Sequence, residues 1–112
     1  MKTEARPNYI AGAWVAGAEA EANINPSDLG DTIDHYAAAS ANDVSQAIAA
    51  ARQALGSWSR STSLVRAEAL DAIGSEIIIR KDELGDMLAR EEGKTLREAT
   101  AEAHRAGSLF KY

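Results

Sequence analysis

The chain has 112 residues, with 12 basic and 17 acidic side chains and a net charge of −5. That balance argues against a nucleic-acid binder, which usually shows a basic face, and against electrostatic docking on an anionic membrane. The absence of any cysteine excludes a disulfide framework, a thiolate zinc site and a cysteine nucleophile together.

Both prolines fall within residues 1–40, which read as strands and turns. Tyr9-Ile10 and Ala13-Trp14-Val15 are predicted to form a hairpin around Ala11-Gly12. A two-residue loop demands positive φ, which Gly12 supplies easily, whereas Ala11 suits a type I′ turn poorly. A second extended stretch is predicted from Ala20 to Asn25, followed by a turn over Asn25-Pro26-Ser27-Asp28-Leu29-Gly30. Thr32 to Ala38 is the next strand, so the strand region covers about 8–38.

Residues 41–112 contain no proline and read as four helices. The first, about 41–55, opens on a capping box from Ser40 to Asp43. Val44, Ile48, Ala51 and Leu55 follow at helical spacing, and Gly56 is expected to end the run. The second, about 62–80, starts around Ser61 to Ser63 and carries the apolar stripe Leu70, Ile73 and Ile77. The third, about 81–92, opens on Lys81-Asp82-Glu83, carries Leu84 and Leu88, and closes at Gly93. The fourth, about 95–112, starts on a capping box from Thr95 to Glu98 and continues through Ala99, Ala103, Ala106 and Phe110. The fold class is therefore α+β.

Of the 46% hydrophobic residues, 24 are Ala, while Leu, Ile, Val and Phe together number 20 of 112. That composition makes a packed core hard to build. It predicts a thin-cored, helix-rich chain whose alanine-rich faces pack on something larger. No apolar run approaches the length of a membrane span. Met1 to Pro7 shows no apolar stretch of a secretory signal. The lack of cysteine does not fix the compartment but fits a reducing cytosol, and a cytoplasmic location is expected.

The motifs for chemistry are sparse. Gly93-Lys94-Thr95 resembles the end of a phosphate-binding loop, but the position five residues before Gly93 is Leu88, and a helix rather than a strand precedes it. It reads as a helix-capping glycine followed by a capping box. His35 and His104 are not at metal-ligand spacing. Glu91 and Glu92 are sequence neighbours, which point apart on a helix and form no acid/base pair. Trp14, Trp58 and Phe110 are too scattered for a stacking platform, and core anchoring is their default role. The residues alone point to no catalytic group and no cofactor-binding group.

The order of six segments nevertheless resembles the N-terminus of the NAD(P)-dependent aldehyde dehydrogenase superfamily. They are Asn8 to Val15, Ile24-Asn25-Pro26-Ser27, Tyr36 to Val44, Ala47 to Trp58, Arg66-Ala67-Glu68-Ala69-Leu70, and Arg80-Lys81-Asp82-Glu83-Leu84 leading to Arg90-Glu91-Glu92-Gly93-Lys94-Thr95-Leu96. The wording is most like that of the bacterial semialdehyde dehydrogenases, including those for α-ketoglutaric semialdehyde. The resemblance implies a fragment of an α/β enzyme, with residues 1–112 forming the N-terminal part of its cofactor-binding domain. In this family a cysteine thiolate attacks the aldehyde, hydride passes to the nicotinamide of NAD or NADP, and a glutamate-activated water releases the acid. The thiolate, the glutamate, the oxyanion-hole asparagine and the dinucleotide-binding turns are expected beyond this stretch. The resemblance also implies a structural monovalent cation at the carbonyls of Asn23 and Ile24 and the carboxylate of Glu91, where members with this site often carry Asp.

These features support two functional readings. The chain is expected to be an N-terminal fragment of an aldehyde dehydrogenase that turns an aldehyde into a carboxylic acid, inactive alone, with the remainder of the enzyme as its partner. The alternative is a stand-alone helical module that binds a partner or self-associates through its helical faces.

Overall fold

The computed structural model describes residues 5–17 and 19–112. Four strands come first: β1 (Asn8–Ile10), β2 (Ala13–Val15), β3 (Glu19–Ile24) and β4 (Thr32–Ala38). Four helices follow: α1 (Ala41–Arg60), α2 (Ser63–Ile79), α3 (Lys81–Glu92) and α4 (Leu96–Lys111). This is the α+β arrangement expected. The chain divides into two units, one running to Ile24 and resuming over Asp31–Arg60, the other combining Asn25–Gly30 with Ser61–Tyr112.

In the first unit β1 and β2 form the expected hairpin, with Tyr9 opposite Trp14 and Ile10 opposite Ala13. Ala11 at φ 54° and Gly12 at φ 82° both lie at positive φ, as a type I′ loop requires. Gly12 accepts this freely, whereas the Cβ of Ala11 is crowded there. The Tyr9 and Trp14 rings meet at 4.9 Å and a 56° tilt, a favourable tilted aromatic geometry. β3 and β4 are antiparallel, with Glu21 opposite Tyr36 and Asn23 opposite Asp34, before an irregularity sets Ile24 opposite Thr32. Arg6 runs beside β4. Its backbone N–H donates to the His35 carbonyl at 2.7 Å, and its own carbonyl accepts from Ala37 N–H at 2.9 Å.

α1 opens on a complete capping box. The Asp43 carboxylate accepts from Ser40 N–H at 2.8 Å, and Ser40 Oγ accepts from Asp43 N–H at 3.2 Å. The helix does not end at Gly56 as predicted but continues to Arg60. One glycine costs a helix about 1 kcal/mol, too little to stop it where no proline or left-handed residue comes next. The chain turns only at Ser61-Thr62, where the Thr62 hydroxyl accepts from Val65 N–H and caps α2.

The second unit is sealed by small residues. Gly74, Gly85, Ala99, Ala103 and Gly107 are its buried helical positions. A Cβ on Gly74 would stand 2.6 Å from the Gly107 carbonyl oxygen, and one on Gly107 would stand 2.8 Å from the Gly74 oxygen. A Cβ on Gly85 would lie 2.7 Å from Thr100 Cα. α4 thus meets α2 and α3 at backbone distance. α2 makes this contact through Gly74, Ile77 and Ile78, so Ile77 of its predicted apolar stripe reaches α4, while Leu70 and Ile73 stay 41% and 45% exposed. α3 ends at Gly93, in the left-handed region at φ 68°. Pro26 and Ser27 of the 25–30 turn rest on Gly93, where an added Cβ would stand 2.8 Å from Ser27 Oγ.

Among the described residues the buried hydrophobics are Ile10, Ala99 and Ala103, so the core is as thin as composition implies. Trp14, Trp58 and Phe110, expected as core anchors, are all exposed within this chain.

Candidate functional site

Asn23 and Ile24 end β3 at its irregularity, in the first unit. Glu91 lies in the last turn of α3, in the second. Both Asn23 and Glu91 engage other groups of the protein. Among the described residues no cluster of three His, Cys, Asp or Glu side chains has the geometry to hold a metal ion.

Gly93-Lys94-Thr95 serves two helix ends. Gly93 N–H donates to the Ala89 carbonyl at 2.9 Å and closes α3. Thr95 Oγ1 accepts from Glu98 N–H at 3.3 Å and donates to the Glu98 carboxylate at 2.7 Å, opening α4. Lys94 Nζ sits between Glu92 and Glu102, 2.5 Å from an oxygen of each. Hydrogen bonding to Glu102 first, and to Glu92 second, pushes its pKa up to about 12. An ammonium held by two carboxylates is not poised for a phosphate, so the capping reading of this triplet holds.

The hydrogen bonds at the two histidines are made by their backbones. His35 is half-buried in β4, and its N–H donates to Asp34 Oδ1 at 2.8 Å. His104 is exposed on α4, and its carbonyl accepts from Ser108 Oγ at 3.1 Å. Glu92 is taken by Lys94.

One ion pair invisible to local spacing joins Arg6 Nε to Asp34 Oδ2 at 2.6 Å. The hydrogen bond from Arg6, then that from the His35 backbone, hold the Asp34 carboxyl below the usual carboxylate range. The pair stands in an open groove of about 630 Å³, which Pro7 and Gly17 also line. Arg6 and Asp34, the charged residues among its described lining, are thus paired with each other. A second clamp ties α4 to α2, where Lys111 Nζ reaches Asp71 Oδ1 and Ser75 Oγ, both at 2.7 Å. These partners lie 28, 40 and 36 residues apart, and no sequence motif joins them.

The described residues form small-residue helix seams, antiparallel strand pairs, and ion pairs at Arg6, Lys94 and Lys111. The chain belongs to the aldehyde dehydrogenase family, whose profile matches residues 14–112. It is similar to the α-ketoglutarate semialdehyde dehydrogenase of Haloferax volcanii, at 33% identity over 98% of this chain and 23% of that enzyme. It is also 41% identical to the N-succinylglutamate 5-semialdehyde dehydrogenase of Chromobacterium violaceum, over 84% of this chain and 19% of the relative. The fold matches the crystal structure of betaine aldehyde dehydrogenase from Staphylococcus aureus in complex with NAD+, with a TM-score of 0.90 and 30% identity, over 99% of this chain and 23% of that one. The chain therefore spans about a fifth of the length of the curated relatives it matches. It corresponds to the N-terminal segment of such an oxidoreductase.

Proposed function

We propose that the chain serves as the N-terminal part of the cofactor-binding domain of an NAD(P)-dependent aldehyde dehydrogenase, and that it is inactive on its own. The reading rests chiefly on length and chemistry together: the chain is about a fifth of its relatives and has no cysteine. Attack on an aldehyde by thiolate needs that sulfur, so the nucleophile comes from the remaining part of the enzyme.

The residues present do not fit the dinucleotide. Such a cofactor lies on a glycine-rich turn between a parallel strand and a helix, whereas the named strands pair antiparallel. The lysine of Gly93-Lys94-Thr95 is already engaged by Glu92 and Glu102. The role of this segment is to support the domain that carries those groups.

The test is a graft. The purified chain is assayed with NAD+ or NADP+ and α-ketoglutaric semialdehyde, and so is a chimera in which it replaces the matching segment of the Haloferax volcanii relative. Activity from the chimera alone supports the proposal. Turnover by the isolated chain overturns it. Self-assembly is a second reading, favoured by Leu64 and Ile79, which stand 65% and 77% exposed. A mass that rises with concentration in equilibrium sedimentation supports that reading.

A further inference from the structure

We propose that Arg6 and Asp34 guard the outer edge of β4, and that with the guard removed this edge pairs with the β4 edge of a second copy of the chain. β4 pairs with β3 along one side. On its other side the backbone groups of His35 and Ala37 are already taken. Arg6 N–H donates to the His35 carbonyl at 2.7 Å, and Ala37 N–H donates to the Arg6 carbonyl at 2.9 Å. His35 N–H goes to Asp34 Oδ1 at 2.8 Å. The other oxygen of the same carboxylate, Oδ2, accepts from Arg6 Nε at 2.6 Å. One side chain thus caps a strand donor and holds the strap that covers its neighbours.

An open strand edge is a template for another strand. β3 and β4 are protected against this in different ways. β3 carries Glu19 and Glu21, whose like charges oppose a second β3. β4 reads Thr32-Ile33-Asp34-His35-Tyr36-Ala37-Ala38, in which Thr, Ile and Tyr favour extended backbone. Its one acid is neutralised by Arg6. It has no lysine or proline to deter pairing, and the strap takes their place.

The occupant follows from geometry and charge. Two β4 strands laid antiparallel about Tyr36 set His35 of each copy opposite Ala37 of the other. Each Ala37 N–H then meets a His35 carbonyl, in the positions that the Arg6 backbone holds within one chain. Asp34 of each copy falls opposite Ala38 of the other, so no like charges face each other. The pairing is two-fold and closes on itself.

The test compares the full chain with Asp34→Ala and with a chain that begins at Pro7, by equilibrium sedimentation over a range of concentrations. Two or more new ladder hydrogen bonds are expected to raise the association constant by about tenfold. Amide hydrogen exchange reports the place: His35 and Ala37 are expected to exchange more slowly as concentration rises in the altered chains, and not in the parent. Ala37→Pro removes an N–H that faces the strap and not β3, at an edge where proline is tolerated. Added to either altered chain, it is expected to return association to the parent level. Association unchanged in both altered chains overturns the guard. Association that rises and persists with Ala37→Pro, as contact between helix faces would, overturns the β4 edge as its site. Loss of the folded circular dichroism signal in both altered chains also overturns the proposal, since a guard is dispensable to the strand pair it covers.

Discussion

Gly85→Ala tests the helix seam directly. The new Cβ would meet Thr100 Oγ1 at 2.6 Å, Thr100 Cα at 2.7 Å and Thr100 N at 3.0 Å. The hydroxyl can rotate away, but the backbone atoms cannot. Carbon atoms rest at about 3.5–4.0 Å, so α3 and α4 must part by roughly 1 Å. Such overpacking costs about 1–3 kcal/mol, and the better helix propensity of alanine returns about 1 kcal/mol. The expected net is a loss of about 1 kcal/mol, or several degrees in thermal midpoint for a chain of this size. Gly56→Ala supplies the contrast. Its Cβ would meet only the mobile Arg60 guanidinium, at 3.5 Å, so the propensity gain stands alone and stabilises by about 1 kcal/mol. Thermal unfolding of the chain, followed by far-ultraviolet circular dichroism, reads both. Opposite signs are expected. If Gly85→Ala stabilises as much as Gly56→Ala, α3 and α4 are not in backbone contact in solution, and the seam is refuted.

Ala11→Asn, which restores the preferred Asn-Gly pair of a type I′ loop, is expected to relieve about 1 kcal/mol of left-handed strain; NMR of the Tyr9 and Trp14 ring protons on heating should show the hairpin surviving to higher temperature. Thr95→Ala removes the α4 cap and should cost about 1 kcal/mol, seen as a lower urea midpoint. Asp43 is held below the usual carboxylate range by the Ser40 hydroxyl and backbone N–H. Its contribution to α1 is present above the unfolded value and fades as pH falls through the lower folded one, so a pH titration of helicity should show a loss below about pH 4 that is reduced in Asp43→Asn. Lys94, with its pKa pushed up to about 12, keeps little free amine in mildly alkaline solution. Its acetylation by acetic anhydride should therefore quicken when Glu92 and Glu102 are both changed to Gln.

Local chemistry was legible because it is written in neighbours. The caps at Ser40 and Thr95 each need a hydroxyl and a carboxylate three residues apart, and both are realised. The positive φ at Gly12 and Gly93 comes from the turn and the helix end that each serves. The aldehyde dehydrogenase resemblance was likewise carried by six short segments in order. Gly56 misled because a glycine that ends one helix differs from one inside another only in the residues after it. The seam through Gly74, Gly85 and Gly107 was also out of reach. A glycine's value there is the absence of a Cβ against a backbone 33 residues away in the case of Gly74 and Gly107, and sequence carries no sign of that closeness. The cation residues Asn23, Ile24 and Glu91 were named by resemblance, since no spacing rule links them. The order of strands and helices, their caps and the lack of cysteine were already present in the linear chain, because each depends on covalent neighbours or on composition. Folding in three dimensions chose which helix faces touch, set Gly74, Gly85 and Gly107 at the seam with Ile77 and Ile78 against Gly107, and brought Arg6, Lys94 and Lys111 to their acids, because those choices are made by atoms brought together from distant parts of the chain.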